Sequence, residues 1–213
     1  MQALDKVAIN TIWIPLVLVF LFAIIAVLKI INAEKLKGYA LALFNNGFLE
    51  SEVEEDTSFF SSFYSLLLVF SSIVLALVIS LFVSEINQNS FVSFSSFLSL
   101  LSIVFSYFVV KSLLEVLLTR VFLIKKQVRY YLISKFGYLY SISFFLLICY
   151  VLFQFGPLNF YALIGVISVL FFLSFVFHVF HNKKLIFNEL FYFILYICAF
   201  EIAPLLILFK LML

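Results

Sequence analysis

Residues 188–210 read NELFYFILYICAFEIAPLLILFK. This is an apolar run long enough to cross a bilayer as a helix, because about 20 residues rising 1.5 Å each span a hydrocarbon core of about 30 Å. Its interior carries one acid, Glu201, and Pro204 follows three residues later. Glu189 stands at its start and Tyr192 and Tyr196 follow at helical spacing. A carboxylate placed this way makes no sense on a lone lipid-facing helix, so the rest of the chain is expected to enclose it.

The composition agrees. Of 213 residues, 66% are hydrophobic and only 11% charged, against roughly 25% charged in soluble domains. A water-soluble fold is excluded. With 31 Phe and only 5 Gly, the helices should pack through Phe, Leu, Ile and Ser more than through close glycine crossings.

Taken from the start, the pattern predicts an all-α polytopic membrane protein, one integral membrane domain with six transmembrane helices. The spans fall at about 11–31, 59–83, 91–115, 136–155, 160–180 and 185–208. The first carries Trp13 at its interface end and Pro15 in its first turn, where a missing N–H costs little. It is longer than a signal-peptide apolar core and reads as a retained helix. Segment 32–58 is the one long polar stretch. Within it, Lys35 to Phe48 has apolar residues at helical spacing and reads as an amphipathic surface helix ended by Asn46-Gly47. The acidic run Glu50, Glu52, Glu54, Glu55 and Asp56 reads as a solvated loop, with docking of a basic partner as the alternative. The third helix stays helical in pattern to about Ile124, near 50 Å in all, so it tilts or projects beyond the bilayer.

Lys and Arg segregate. Lys35 and Lys37, then Arg120, Lys125, Lys126, Arg129 and Lys135, then Lys183 and Lys184 occupy alternate loops, against Lys6 and Lys210 on the other side. The positive-inside rule puts loops one, three and five in the cytoplasm and both termini outside.

Glu201 with Pro204 leads the functional candidates, since proline frees a carbonyl one turn before it and a carboxylate beside free carbonyls can hold a proton or cation. The competing reading is a protonated Glu201 that hydrogen-bonds a Ser or Tyr and locks the bundle. Glu189, Tyr196, Lys111 and Glu115 are further candidates; Lys111 and Glu115, four apart, pair with each other in the simplest reading. Arg120, Lys125, Lys126 and Arg129 are candidates for anionic lipid headgroups. His178 and His181 read as interfacial histidines, and Cys149 and Cys198 as small apolar residues without a disulfide. No nucleophile–base pair, phosphate loop or metal-ligand spacing is present, so no enzyme activity, cofactor or nucleic-acid partner is expected.

The run Phe191 to Lys210, with Leu195-Tyr196-Ile197-Cys198 and Glu201-Ile202-Ala203-Pro204-Leu205, resembles an uncharacterised family of Bacteroidota inner-membrane proteins, a domain of unknown function. Leu43-Phe44-Asn45-Asn46 with the acids after it, and the order of spans, are similar too. The resemblance implies a bacterial inner-membrane location and points to Glu201 and Pro204. The function expected is a non-enzymatic subunit or scaffold of a larger envelope complex, of the secretion or motility kind, that binds other membrane proteins. A small proton- or ion-coupled transporter using Glu201 and Glu189, and a lipid-binding protein, are the alternatives.

Overall fold

A computed structural model of the protein describes residues 13–54, 62–86, 93–121, 125–156 and 159–181. These residues form helices and no strands: α1 (Trp13–Ile31), α2 (Ala33–Ala40), α3 (Asn46–Glu54), α4 (Ser62–Ile86), α5 (Phe94–Val121), α6 (Lys125–Phe155) and α7 (Phe160–His181). Five of them, all but α2 and α3, are long and apolar enough to cross a membrane. The span expected at 185–208 lies outside the described residues.

Helices α4 and α6 are the centre. Of their most apolar windows 56% and 50% is buried, against 11% for α5 and 17% for α7. Both central helices bury serines: Ser71, Ser72 and Ser80 of α4 and Ser134, Ser141 and Ser143 of α6. A serine buried in an apolar setting needs a partner, and three find one on their own helix. Ser72 donates to the Val69 carbonyl at 2.8 Å, Ser80 to Leu77 at 2.7 Å and Ser143 to Leu139 at 2.9 Å. Phe70 lies on Phe144 across the pair at 4.7 Å between ring centroids. Around this centre α1 packs on α4 through a face that includes Leu18, Leu21 and Leu28, while α7 packs on α6 through Leu163 and Ile167. At the far end of α1, Trp13 stacks on Phe97 of α5 at 4.8 Å.

The polar segment departs most from expectation. It is not one surface helix but two. Asn32 caps α2, its side chain accepting from the Lys35 N–H at 2.9 Å. The helix stops at Ala40, the chain turns through 41–45, and Asn46-Gly47 opens α3 instead of closing a helix. Gly47 is not in the left-handed region. The reason lies in a contact that a continuous helix forbids. Phe48 packs on Gly38 and meets Tyr39 edge-on at 5.1 Å, although residues nine or ten apart in one helix stand about 14 Å apart. The chain therefore doubles back. The turn is fixed from outside as well: Ser141 of α6 donates to the Ala40 carbonyl at 2.8 Å, one of the carbonyls that a helix end leaves open.

The third helix, α5, covers about 42 Å over its described length from Phe94 to Val121; residues 122–124, through which the pattern continues, lie outside the described residues. The basic stretch at Lys125, Lys126 and Arg129 is helical and not a loop: α6 begins at Lys125, ahead of the fourth span expected from 136.

Gly137 of α6 explains how closely the α2–α3 pair seats. A Cβ there would lie 2.7 Å from Leu49 Cδ2 and 3.8 Å from Ala42 Cβ. Gly165 of α7 faces open space. Gly137→Val is expected to lower stability in detergent by about 1–3 kcal/mol through overpacking. Gly165→Ala is expected to be neutral or stabilising, since alanine is the better helix former. Thermal melts of the two variants beside the wild type check this.

Candidate functional site

The densest polar constellation among the described residues sits where α2 and α3 meet α4 and α6. Its centre is Glu52. Spacing places it there: Phe48, Leu49 and Glu52 share one face of α3 at i, i+1 and i+4. Leu49 is wholly buried and Glu52 is 2% exposed. The carboxylate accepts from Lys35 Nζ at 2.8 Å and from the Tyr64 hydroxyl of α4. Lys35 keeps 21% of its side chain exposed, so the pair has one wet end and one dry end.

Tyr39 extends the network inward. It is 2% exposed and its ring is edge-on to Phe48, Tyr64 and Tyr140, at 5.1, 5.8 and 5.7 Å. Its neighbour Tyr64 is the residue whose hydroxyl donates to Glu52. Burial, then the neighbouring Tyr64 and Glu52, push the Tyr39 phenol well above its ordinary value. It stays neutral. The arrangement Lys35–Glu52–Tyr64–Tyr39 thus joins α2, α3 and α4 and lies against α6. Every member has a partner, so the chemistry it performs is cohesion: a carboxylate that is neutralised and twice hydrogen-bonded tolerates burial.

The acidic run is therefore not simply a solvated loop. Glu50, Glu52 and Glu54 are on α3, and Glu52 points inward. Glu50 and Glu54 fall in the register of the opposite face with Ser51, which is exposed. Neither Glu52 nor Lys35, Tyr64 and Tyr39 stands out in the sequence as a site. The available signal was the spacing of Glu52 from Phe48 and Leu49.

The other candidates are dispersed. Lys111 lies on α5 with its Nζ 3.3 Å from the Tyr107 hydroxyl and 5.4 Å from that ring's centroid. Glu115 is one turn further along the same helix. Arg120 is in the last turn of α5, and Lys125, Lys126 and Arg129 are in the first turns of α6. His178 and His181 end α7. Cys149 is an unpaired thiol on α6. Glu189, Tyr196, Cys198, Glu201 and Pro204 lie outside the described residues.

With this geometry in place, the comparison with known proteins can be stated. The family model described as Domain of unknown function (DUF4271) matches residues 14–212, and the chain belongs to that family. No curated protein and no solved structure matches it.

Removing one partner of a buried ion pair leaves the other charge uncompensated. Glu52→Ala is expected to cost about 3 kcal/mol, and more than Lys35→Ala, because it orphans Tyr64 as well and because Lys35 is the wetter partner. Lys35→Met/Glu52→Leu/Tyr64→Phe removes all three polar groups together and should recover much of the loss. Melting temperatures of the purified variants decide it; equal losses for Glu52→Ala and Lys35→Ala would contradict the burial argument.

Proposed function

We propose that this member of the DUF4271 family is a non-enzymatic subunit or scaffold of a larger cell-envelope complex in the bacterial inner membrane, in Bacteroidota. Its full architecture in this reading is six spans, with residues 185–208 as the sixth. Loops one, three and five are cytoplasmic and both termini periplasmic.

The observation that carries the reading is the α2–α3 pair. Its inner face is sealed: Tyr39, Ala42, Leu43 and Leu49 are buried, and the Lys35–Glu52–Tyr64 contacts consume its inward polar groups. A short helical pair anchored this firmly is a rigid platform, and rigidity lowers the entropy lost on association. The register of its outer face is acidic, with Glu50 and Glu54 beside exposed Ser51. Such a platform suits a basic protein segment on the same side of the membrane. The sidedness has its own support: every Lys and Arg among the described residues lies toward the end of the bundle that holds α2 and α3, as the positive-inside rule requires of a cytoplasmic face.

Two measurements test this. Tagged protein purified from native membranes in mild detergent should retain a stoichiometric partner, and Glu50→Lys/Glu54→Lys should lose it while eluting as a folded protein. A reproducible monomer without partners would sink the reading. For topology, alkaline phosphatase fused after Leu213 should be active and a fluorescent protein fused there dark. The opposite pattern would remove the sixth span.

A further inference from the structure

The turn between α2 and α3 leaves large apolar side chains uncovered: Phe44 is 67% exposed and Leu41 43%. The spanning helices that the pair touches fix its depth. The reference level is the reversal between Phe155, where α6 ends, and Phe160, where α7 begins. A connection between two spans cannot sit bare in hydrocarbon, so this level lies at or beyond one edge of the core. Measured from it at 1.5 Å per residue, Phe145 stands about 15 Å along α6 and Ser141, which holds the Ala40 carbonyl, about 21 Å. Phe177 stands about 26 Å along α7. The Phe44 ring meets Phe145 and Phe177 edge-on at 6.1 and 6.4 Å, so it lies between their levels, at about 20 Å of a core about 30 Å thick. The turn is thus about 10 Å inside the opposite edge, and deeper if the reference level lies beyond its own. The other end of the pair is at that edge. Tyr64, which donates to Glu52, is about 27 Å along α4 from Phe82, whose ring meets Phe160 at 5.8 Å.

We infer that α2 and α3 form a re-entrant hairpin whose turn seats Leu41 and Phe44 among the acyl chains of the bilayer, while its charged end stays at the surface. The backbone of the turn is built for that setting, since lipid offers no partner to a free amide. The N–H groups of Leu41, Ala42, Phe44 and Asn45 donate to the carbonyls of Lys37, Tyr39, Leu41 and Leu41 at 3.1, 3.4, 2.9 and 3.1 Å. Ser141 covers the Ala40 carbonyl from α6. Asn45 turns its side-chain oxygen back over the start of α3, 3.6 Å from where a Gly47 Cβ would stand. The polarity of the pair runs the same way: Lys35, Glu52 and Tyr64 are joined at the surface end, and Leu41 and Phe44 stand at the deep end. The inference does not rest on the subunit reading and stands or falls without a protein partner.

The test uses the full chain reconstituted in phosphatidylcholine vesicles. Trp13 is its one tryptophan, so Trp13→Phe/Phe44→Trp carries a single fluorescent reporter at the turn. Phosphatidylcholine brominated along its acyl chains should quench most of that emission, and aqueous iodide should quench none. Should the variant not fold, the unaltered chain decides. A phosphatidylcholine with a photoactivated carbene precursor midway along its acyl chain should label residues 41–44 as well as the exposed Phe172 of α7, read by mass spectrometry. Quenching by iodide would place the turn in water, and protection from both quenchers would place it beneath protein; either result overturns the inference. Labelling of Phe172 without the turn overturns it too.

Discussion

A carboxylate at the edge of a bilayer must be solvated or paired, and Glu52 is paired. Much of the organisation of this end of the molecule follows. To reach Glu52, Lys35 must come from α2 and Tyr64 from α4, so α3 has to lie between them. To place α3 there the chain must reverse within 41–45, which brings Phe48 onto Gly38 and Tyr39. The reversed pair then needs a flat place to land. Gly137 on α6 supplies it, and Ser141 one turn later holds the Ala40 carbonyl at the reversal. Sequence-distant residues of α6 thus complete what α2 and α3 begin.

The bundle beneath obeys different physics. Among lipid chains there is no hydrophobic driving force between helices, so packing and satisfied hydrogen bonds decide which surfaces meet. The central helices α4 and α6 bury serines whose hydroxyls return to a carbonyl of the preceding turn, as Ser72, Ser80 and Ser143 do. Phenylalanine fills the remainder, as in the Phe70–Phe144 contact. The outer helices need less of this: α5 and α7 keep broad apolar surface exposed, including Leu98, Phe105, Phe172 and Phe175.

These two regimes explain what the sequence discloses. Spans are legible because length and hydropathy are imposed by the bilayer itself, and each described span falls close to its expected place. The α2–α3 pair is not legible at the same level. Residues Lys35 to Phe48 keep helical spacing, and nothing local opposes a continuous helix through Ala40. The reversal is selected by partners about one hundred residues away, Gly137 and Ser141, whose meaning appears only in three dimensions. For the same reason Glu52 hides among Glu50, Glu54, Glu55 and Asp56. Composition marks the run as solvated, and only the coincidence of Glu52 with the Phe48–Leu49 face marks one member as buried. The strongest polar signals in the sequence, Glu201 and Pro204, fall outside the described residues, whereas the constellation within them is built from side chains that looked ordinary.

Charge then links the two halves of the molecule. On the α2–α3 side, the inward charges cancel within the protein, Lys35 against Glu52, at a depth where an unpaired charge would be costly. Arg120 near the end of α5 and Lys125, Lys126 and Arg129 at the start of α6 stand in sequence at the same end of the bundle as α2 and α3. The inward charge is thus cancelled within the protein while Lys and Arg gather in the elements at that one end, the distribution that the positive-inside rule associates with a cytoplasmic face.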